Sequence, residues 1–240
     1  MDQILVGLDD NGQKKFLNLA MANRHCLIAG ATGTGKSVTL QTIAEQFSRA
    51  GVSVFTADIK GDLSGLAEPG LNNPKIKERL KDFKMDSAKG KANATIFWDI
   101  YGQHGHPLRA TITEIGPLLL GRFVNANDVQ QGILNAAFSC ADDEGLLLLD
   151  LKDIRSMLDW MSDNAATLKN KYGNISKNSI GALQRGFLSL EEAGGDKFLG
   201  EPALKLEHLM QKDAAGDGII NILDARKAVD LHNNGAVLLN

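Results

Sequence analysis

Gly30 to Ser37, G-A-T-G-T-G-K-S, places three glycines, two threonines, a lysine and a serine between an apolar run and a helical pattern. These residue types at this spacing match G-x-x-x-x-G-K-[ST] in full, the phosphate-binding loop signature, in the strand-before and helix-after setting that the chemistry requires. Gly30, Gly33 and Gly35 allow torsions barred to residues with a Cβ and let amide N–H groups close around phosphate oxygens. A helix opening at Lys36 adds its first-turn N–H groups and their partial positive charge. Lys36 supplies a mobile charge for β and γ phosphates, and the Ser37 hydroxyl suits magnesium, a hard ion that prefers oxygen and keeps several waters. The expected contact set is Gly30, Ala31, Thr32, Gly33, Thr34, Gly35, Lys36, Ser37, Val38 and Thr39, with Lys36 as the catalytic charge and Ser37 as the metal ligand.

Binding a nucleotide is not hydrolysing it. Turnover also needs an acid at the end of an apolar strand to hold hydrated magnesium, usually beside a group that orients the attacking water. Asp58 closes "SVFTAD", Asp150 closes "GLLLLD" and Asp224 closes "GIINILD". None is followed by Glu, and for Asp150 before "LKDIRSML" a helix N-cap is the simpler reading. His104 and His106, with Arg109 nearby, sit in "YGQHGHPLR", where a turn is the simpler reading because no partner stands at zinc spacing. "DAAGDGIINILD", Asp213 to Asp224, has aspartates at positions one, five and twelve of a calcium loop. It lacks an oxygen ligand at position three and carries Asp for Glu at twelve, so a loop entering a strand is preferred.

The elements that must hold the glycine loop read as follows. Strands are expected at residues 3–8, closed by the turn "DDNG", and at 25–29, "HCLIA", with Cys26 and His25 packed. Val38, Leu40, Ile43, Ala44 and Phe47 recur at near-helical spacing from Lys36, and Gly51 marks the stop. "VSVFTAD" is a strand, which completes a right-handed βαβ unit with parallel strands. Ile59 to Lys91 reads as a loop and an exposed basic helix, a solvated face or an anion-binding one. "ATIFWDI" and "LRATITEI" read as strands. A helix capped by Asn125 or Asn127 and stopped by Gly145 follows. Two further helical stretches, "DLKDIRSMLDWMSDNAATLKNKY" and "SKNSIGALQRGFLSLEEAGG", precede a buried strand at "GIINILD".

The chain has 240 residues, 43% apolar and 23% charged, enough for a sizeable core in one domain or one domain with an inserted part. Its net charge of -3 excludes a global basic field, so any DNA contact would rest on a local patch or on a pore built by several subunits. The two cysteines have no metal spacing, no signal peptide is evident, and the apolar stretches are too short to cross a bilayer, which together imply a cytoplasmic protein with no membrane partner.

The sequence resembles a HerA-like helicase family of ATP-binding proteins, within the wider HerA and FtsK motor group. Met21 to Ala67, Gly102 to Arg122, "ADDEGLLLLDLKDIRSML" and "SIGALQRGFLSLEEAGGDKFLGEPAL" carry the likeness. It implies a RecA-like core in which an extra strand separates the phosphate-loop strand from the Walker B strand, and homo-hexameric rings in which a neighbour lends an arginine. Asp58 would then lie towards the sheet edge, with a structural or subunit-contact role. In such proteins the Walker B acids follow a long helix after the equivalent of "INILDARK". Here that helix would begin near "AVDLHNNGAVLLN", so the expectation is the N-terminal part of the family without that acid pair.

The expected fold is α/β, a P-loop nucleoside triphosphatase with a three-layer, mostly parallel sheet. Residues 1–124 would form the nucleotide-binding core, 125–212 a helical subdomain, and 213–240 a returning core strand and end. The expected activity is that of a magnesium- and ATP-dependent hydrolase moving on DNA, feeble in this chain. A nucleotide-binding regulatory or assembly module is the main rival, and a small-molecule kinase ranks last for want of an acceptor-site arginine cluster.

Overall fold

The computed structural model describes residues 2–70, 74–84 and 90–226. The chain divides into two compact units, Met1–Phe97 with Lys205–Asp224, and Trp98–Leu204 with Ala225–Asn240. The stretch 108–115, expected as a strand, instead leads into a helix at Ile112–Phe123 that packs in the second unit's core.

In the first unit β1 (Gln3–Leu8) and β2 (Lys14–Asn18) pair as an antiparallel hairpin. Asp9 turns it by accepting the N–H groups of Asn11 and Gln13 at 3.0 and 2.8 Å. The Lys15 ammonium, 2.7 Å from its carboxylate, holds the Asp9 carboxyl below its ordinary range. Helix α1 (Lys36–Arg49) follows the glycine loop, then β3 (Val54–Asp58) and α2 (Pro74–Asp82), which starts on proline where the missing N–H is harmless. The short helix α9 (Leu206–Leu209) and strand β6 (Ile220–Asp224) return to this unit.

Strand β6 pairs parallel with β3 from Val54↔Ile220 to Asp58↔Asp224. Its first four residues are buried, the continuous pattern of a strand covered on both faces. The polar residue among those four, Asn221, donates to the carbonyls of Val54 and Leu209 at 3.2 and 3.0 Å, which satisfies an amide that would otherwise be costly to bury. Ala44 of α1 meets Leu63, Leu66, Ile220 and Ile222 in the core.

With β4 (Thr95–Asp99) and β5 (His106–Pro107), strands β3-β6-β4-β5 form one four-stranded parallel sheet in that order, so the protein is α/β as expected. Asp58 stands on β3 at the sheet's edge, as the resemblance implies. Residues 25–29 form no strand: Leu27 is 88% exposed and Cys26 is exposed rather than packed. A five-residue apolar run becomes a strand only when a neighbour takes its backbone groups, and the described strands pair among themselves. The βαβ unit expected around α1 therefore lacks its first strand, and the parallel partner of β3 is β6.

The second unit is helical: α3 (Ile112–Phe123), α4 (Asp128–Asp143), α5 (Leu151–Asp163), α6 (Ala165–Tyr172), α7 (Lys177–Glu192) and α8 (Gly195–Phe198). "LRATITEI" looks like a strand because Thr111, Ile112 and Thr113 are β-branched, but Thr111 and Glu114 form a capping box that commits the backbone to a helix. Gly116, at φ 75°, and Pro117 then kink it. Asn127 with Gln130 caps α4, one of the two positions expected.

"GLLLLD" is not a strand either. Leu148 and Leu149 accept the first-turn N–H groups of Thr113 and Ile112 at 2.8 and 3.2 Å, serving as the carbonyl end of α3's N-terminus. Leu120, Leu134, Ile154, Leu158, Met161, Leu183 and Phe187 fill the core. On its rim Asp143 of α4 receives the Tyr172 hydroxyl at 2.5 Å and the Lys171 ammonium at 2.7 Å, so its carboxyl is held below the ordinary range, while both partners are raised. No helix among the described residues is long and apolar enough to cross a membrane.

Candidate functional site

Gly33 and Gly35 take φ values of 83° and 97°, the left-handed region that admits glycine without strain. Gly30 needs its missing Cβ for another reason: a Cβ there would stand 2.6 Å from Thr34 Oγ1. Thr34 donates its hydroxyl to Ala31 O at 2.8 Å, and Lys36 Nζ reaches back to Gly30 O and Ala31 O, both at 2.7 Å. The loop is thus a closed ring held by the side chains of Thr34 and Lys36. An ammonium has three donors, so two are spent on the ring and one remains.

Gly35 is the N-cap of α1, and no side chain caps that end; the first turn carries no acid. The 14-residue helix therefore presents its N-terminal N–H groups and partial positive charge with neither a side-chain cap nor a first-turn acid to neutralise them. Ser37 Oγ makes no hydrogen bond among the described residues, while Thr39 Oγ1 donates to Gly35 O at 3.1 Å and belongs to the helix. An oxygen donor without a partner, beside an uncapped helix end, fits a magnesium ion that takes one or two protein oxygens and completes its shell with phosphate and water.

Two pairs of bonds and a single one fix α1. Gln46 accepts the Leu5 N–H at 2.6 Å and donates to the Leu5 carbonyl at 2.5 Å. Ser48 donates its hydroxyl to Gly218 O at 2.5 Å while its carbonyl accepts Gly218 N–H at 2.7 Å. Gln41 donates to Asp62 O at 2.6 Å, and the Asp62 N–H reaches Asp58 at 3.3 Å.

The candidate acids divide by what already holds them. Asp58 is buried, and its two oxygens accept the N–H groups of Lys60, Gly61, Asp62 and Leu63 at 3.2, 2.6, 3.3 and 3.0 Å. Asp150 accepts Lys152 N–H and Asp153 N–H at 2.7 and 3.1 Å and so caps α5. Asp99, which sequence reasoning passed over, is the second buried carboxylate at a strand end, accepting the N–H groups of Tyr101, Gln103 and His104 at 2.8, 2.7 and 2.8 Å. It makes the turn expected in "YGQHGHPLR". His106 packs against Trp98, ring centroids 6.1 Å apart, and Arg109 donates to Glu201 O at 2.6 Å.

In "DAAGDG" Asp213 accepts Ala215 N–H and Asp217 N–H at 2.8 and 2.9 Å, and Asp217 pairs with Lys91, whose ammonium is thereby raised above its ordinary value. The described residues hold no group of three or more histidines, cysteines and carboxylates placed to bind a metal ion, and this stretch leads into β6 as the sequence indicated. "AVDLHNNGAVLLN", where the helix before the Walker B acids was expected to begin, lies outside the described residues.

The structure also adds two residues that the loop signature does not contain, Gln41 and Asp62. The run "DIKGDL" after a strand signals an Asp-centred turn, but its attachment to α1 is a tertiary contact with no local signature. A family model described as "Helicase HerA-like C-terminal" matches residues 3–235. No curated protein matches the chain.

Proposed function

The chain belongs to the helicase HerA-like C-terminal family, and on that premise we propose that Gly30 to Thr39 binds ATP or ADP with magnesium in a RecA-like P-loop core. The observation that carries the reading is the junction of the glycine ring with α1: two left-handed glycines, an uncapped 14-residue helix and Lys36 at the first helical position. Phosphate oxygens would take the first-turn N–H groups, and the Lys36 ammonium would exchange its carbonyl partners for the β and γ phosphates. Magnesium, when bound, screens phosphate charge. Ser37 Oγ is the hydroxyl suited to hold it.

At the level of the family this is the nucleotide step of a helicase-like motor, with DNA as its track and a ring of identical copies as its assembly. Titration calorimetry with ATP and with ADP, each with and without magnesium, tests the binding, and phosphate release with and without DNA tests the coupling. Magnesium-dependent binding with DNA-stimulated release supports the motor. Magnesium-dependent binding without release assigns the chain to a regulatory or assembly module. Absence of binding refutes both.

A further inference from the structure

Asp58, at the end of β3, has both oxygens filled by backbone N–H groups, which leaves its carboxylate without a free acceptor for a hydrated ion, while Asp150 spends one oxygen on capping α5. What Asp58 does instead is fold residues 59–63 into a fixed turn beside α1. There Gln41 donates to Asp62 O at 2.6 Å. Gln41 lies four residues after Ser37 in α1, so the two share a helix face with about 6 Å between their Cβ atoms. The Asp62 main chain is held at both ends, its N–H by Asp58 and its carbonyl by Gln41. Its carboxylate is exposed and accepts no hydrogen bond or ion pair among the described residues.

We infer that Asp62 is the carboxylate of this chain that holds, through water, the magnesium ion of the nucleotide whose phosphates sit in the glycine ring and whose other protein ligand is Ser37. The inference rests on the nucleotide reading of that ring. The chemistry agrees: magnesium dehydrates reluctantly and is characteristically held by a hydroxyl, phosphate oxygens and a carboxylate reached through its waters. The placement also separates two tasks, since Asp58 shapes the turn and Asp62 presents the charge.

The test is manganese binding, read by electron paramagnetic resonance, to the full chain saturated with ADP, in wild type and in Asp62→Asn. Calorimetry of ADP without metal runs beside it. The variant should bind metal-free ADP like wild type and keep the wild-type melting temperature, because its side chain has no partner to lose among the described residues. Its manganese affinity in the ADP complex should fall about 10- to 100-fold, the range for losing an outer-shell group. Equal manganese affinity in the two proteins overturns the assignment of Asp62 while leaving the nucleotide site intact. Failure of wild type to bind ADP with or without metal overturns the nucleotide reading, and the inference with it.

Discussion

Lys36 donates its ammonium to Gly30 O across 2.7 Å, so the residue that opens α1 also closes the turn begun six positions earlier. The same charge serves the ring's own carbonyls and, in the proposed complex, the phosphates. Lys36→Ala removes both. Losing a charge-assisted hydrogen bond of about 1.5–3 kcal/mol lowers ATP affinity about 10- to 100-fold. Titration calorimetry checks this, and an unchanged dissociation constant would count against any phosphate role for the loop.

Asp58→Asn keeps the shape of the side chain but removes its charge and turns one acceptor oxygen into a donor. The turn supplies only N–H groups to those atoms. One of them is then left facing an NH2 group in a buried setting, at a cost of about 2–4 kcal/mol. Urea unfolding of the variant should show a lower midpoint, with the slope preserved.

Gly218→Ala is predicted to be more damaging than its size implies. A Cβ there would stand 2.2 Å from both the C and O atoms of Val52, which are backbone and cannot rotate away. The strands or α1 would have to shift, breaking the paired bonds between Gly218 and Ser48, and overpacking of this kind costs about 1–3 kcal/mol or more. Thermal unfolding should fall well below that of Ser48→Ala, which loses one buried hydrogen bond worth about 1 kcal/mol.

The clasp of α4 with α6 sets a pH dependence with two edges. Lys171 and then Tyr172 depress the Asp143 carboxyl, so its contribution is present above the ordinary carboxylate value and is lost as pH falls through the depressed one. Asp143 raises the Tyr172 phenol, and that contribution is complete below the ordinary tyrosine value and disappears as pH rises through the raised one. Melting temperature should therefore be flat near neutrality and decline at both extremes. Asp143→Asn flattens the acid edge, and salt weakens the whole effect because the groups are exposed.

Caps and continuous apolar runs were the legible part of the fold. Asn127 and Asp150 cap helices where their types indicate, and the buried β6 is plain in "IINIL". The failures share a cause, which is that apolar or β-branched runs carry no record of their neighbours. Residues 25–29 and 146–149 look like strands, yet the first pairs with nothing described and the second closes the N-terminus of α3. In 108–115 the local capping box overrode the alternation. Strand β2 went unseen because Lys14–Asn18 shows almost no buried face. Of the candidate site, the glycine ring was legible from spacing alone, whereas Gln41 and Asp62 depend on how the turn after β3 meets α1.

Gln46 accepts the N–H of Leu5 and donates its own amide N–H to the Leu5 carbonyl, the pair of contacts that a neighbouring peptide unit would offer. The hairpin is thereby geared to the shaft that begins at the glycine ring. In the proposed nucleotide complex any roll or slide of that shaft would pass to β1 and β2, where the exposed ring of Phe16 offers a place to read it.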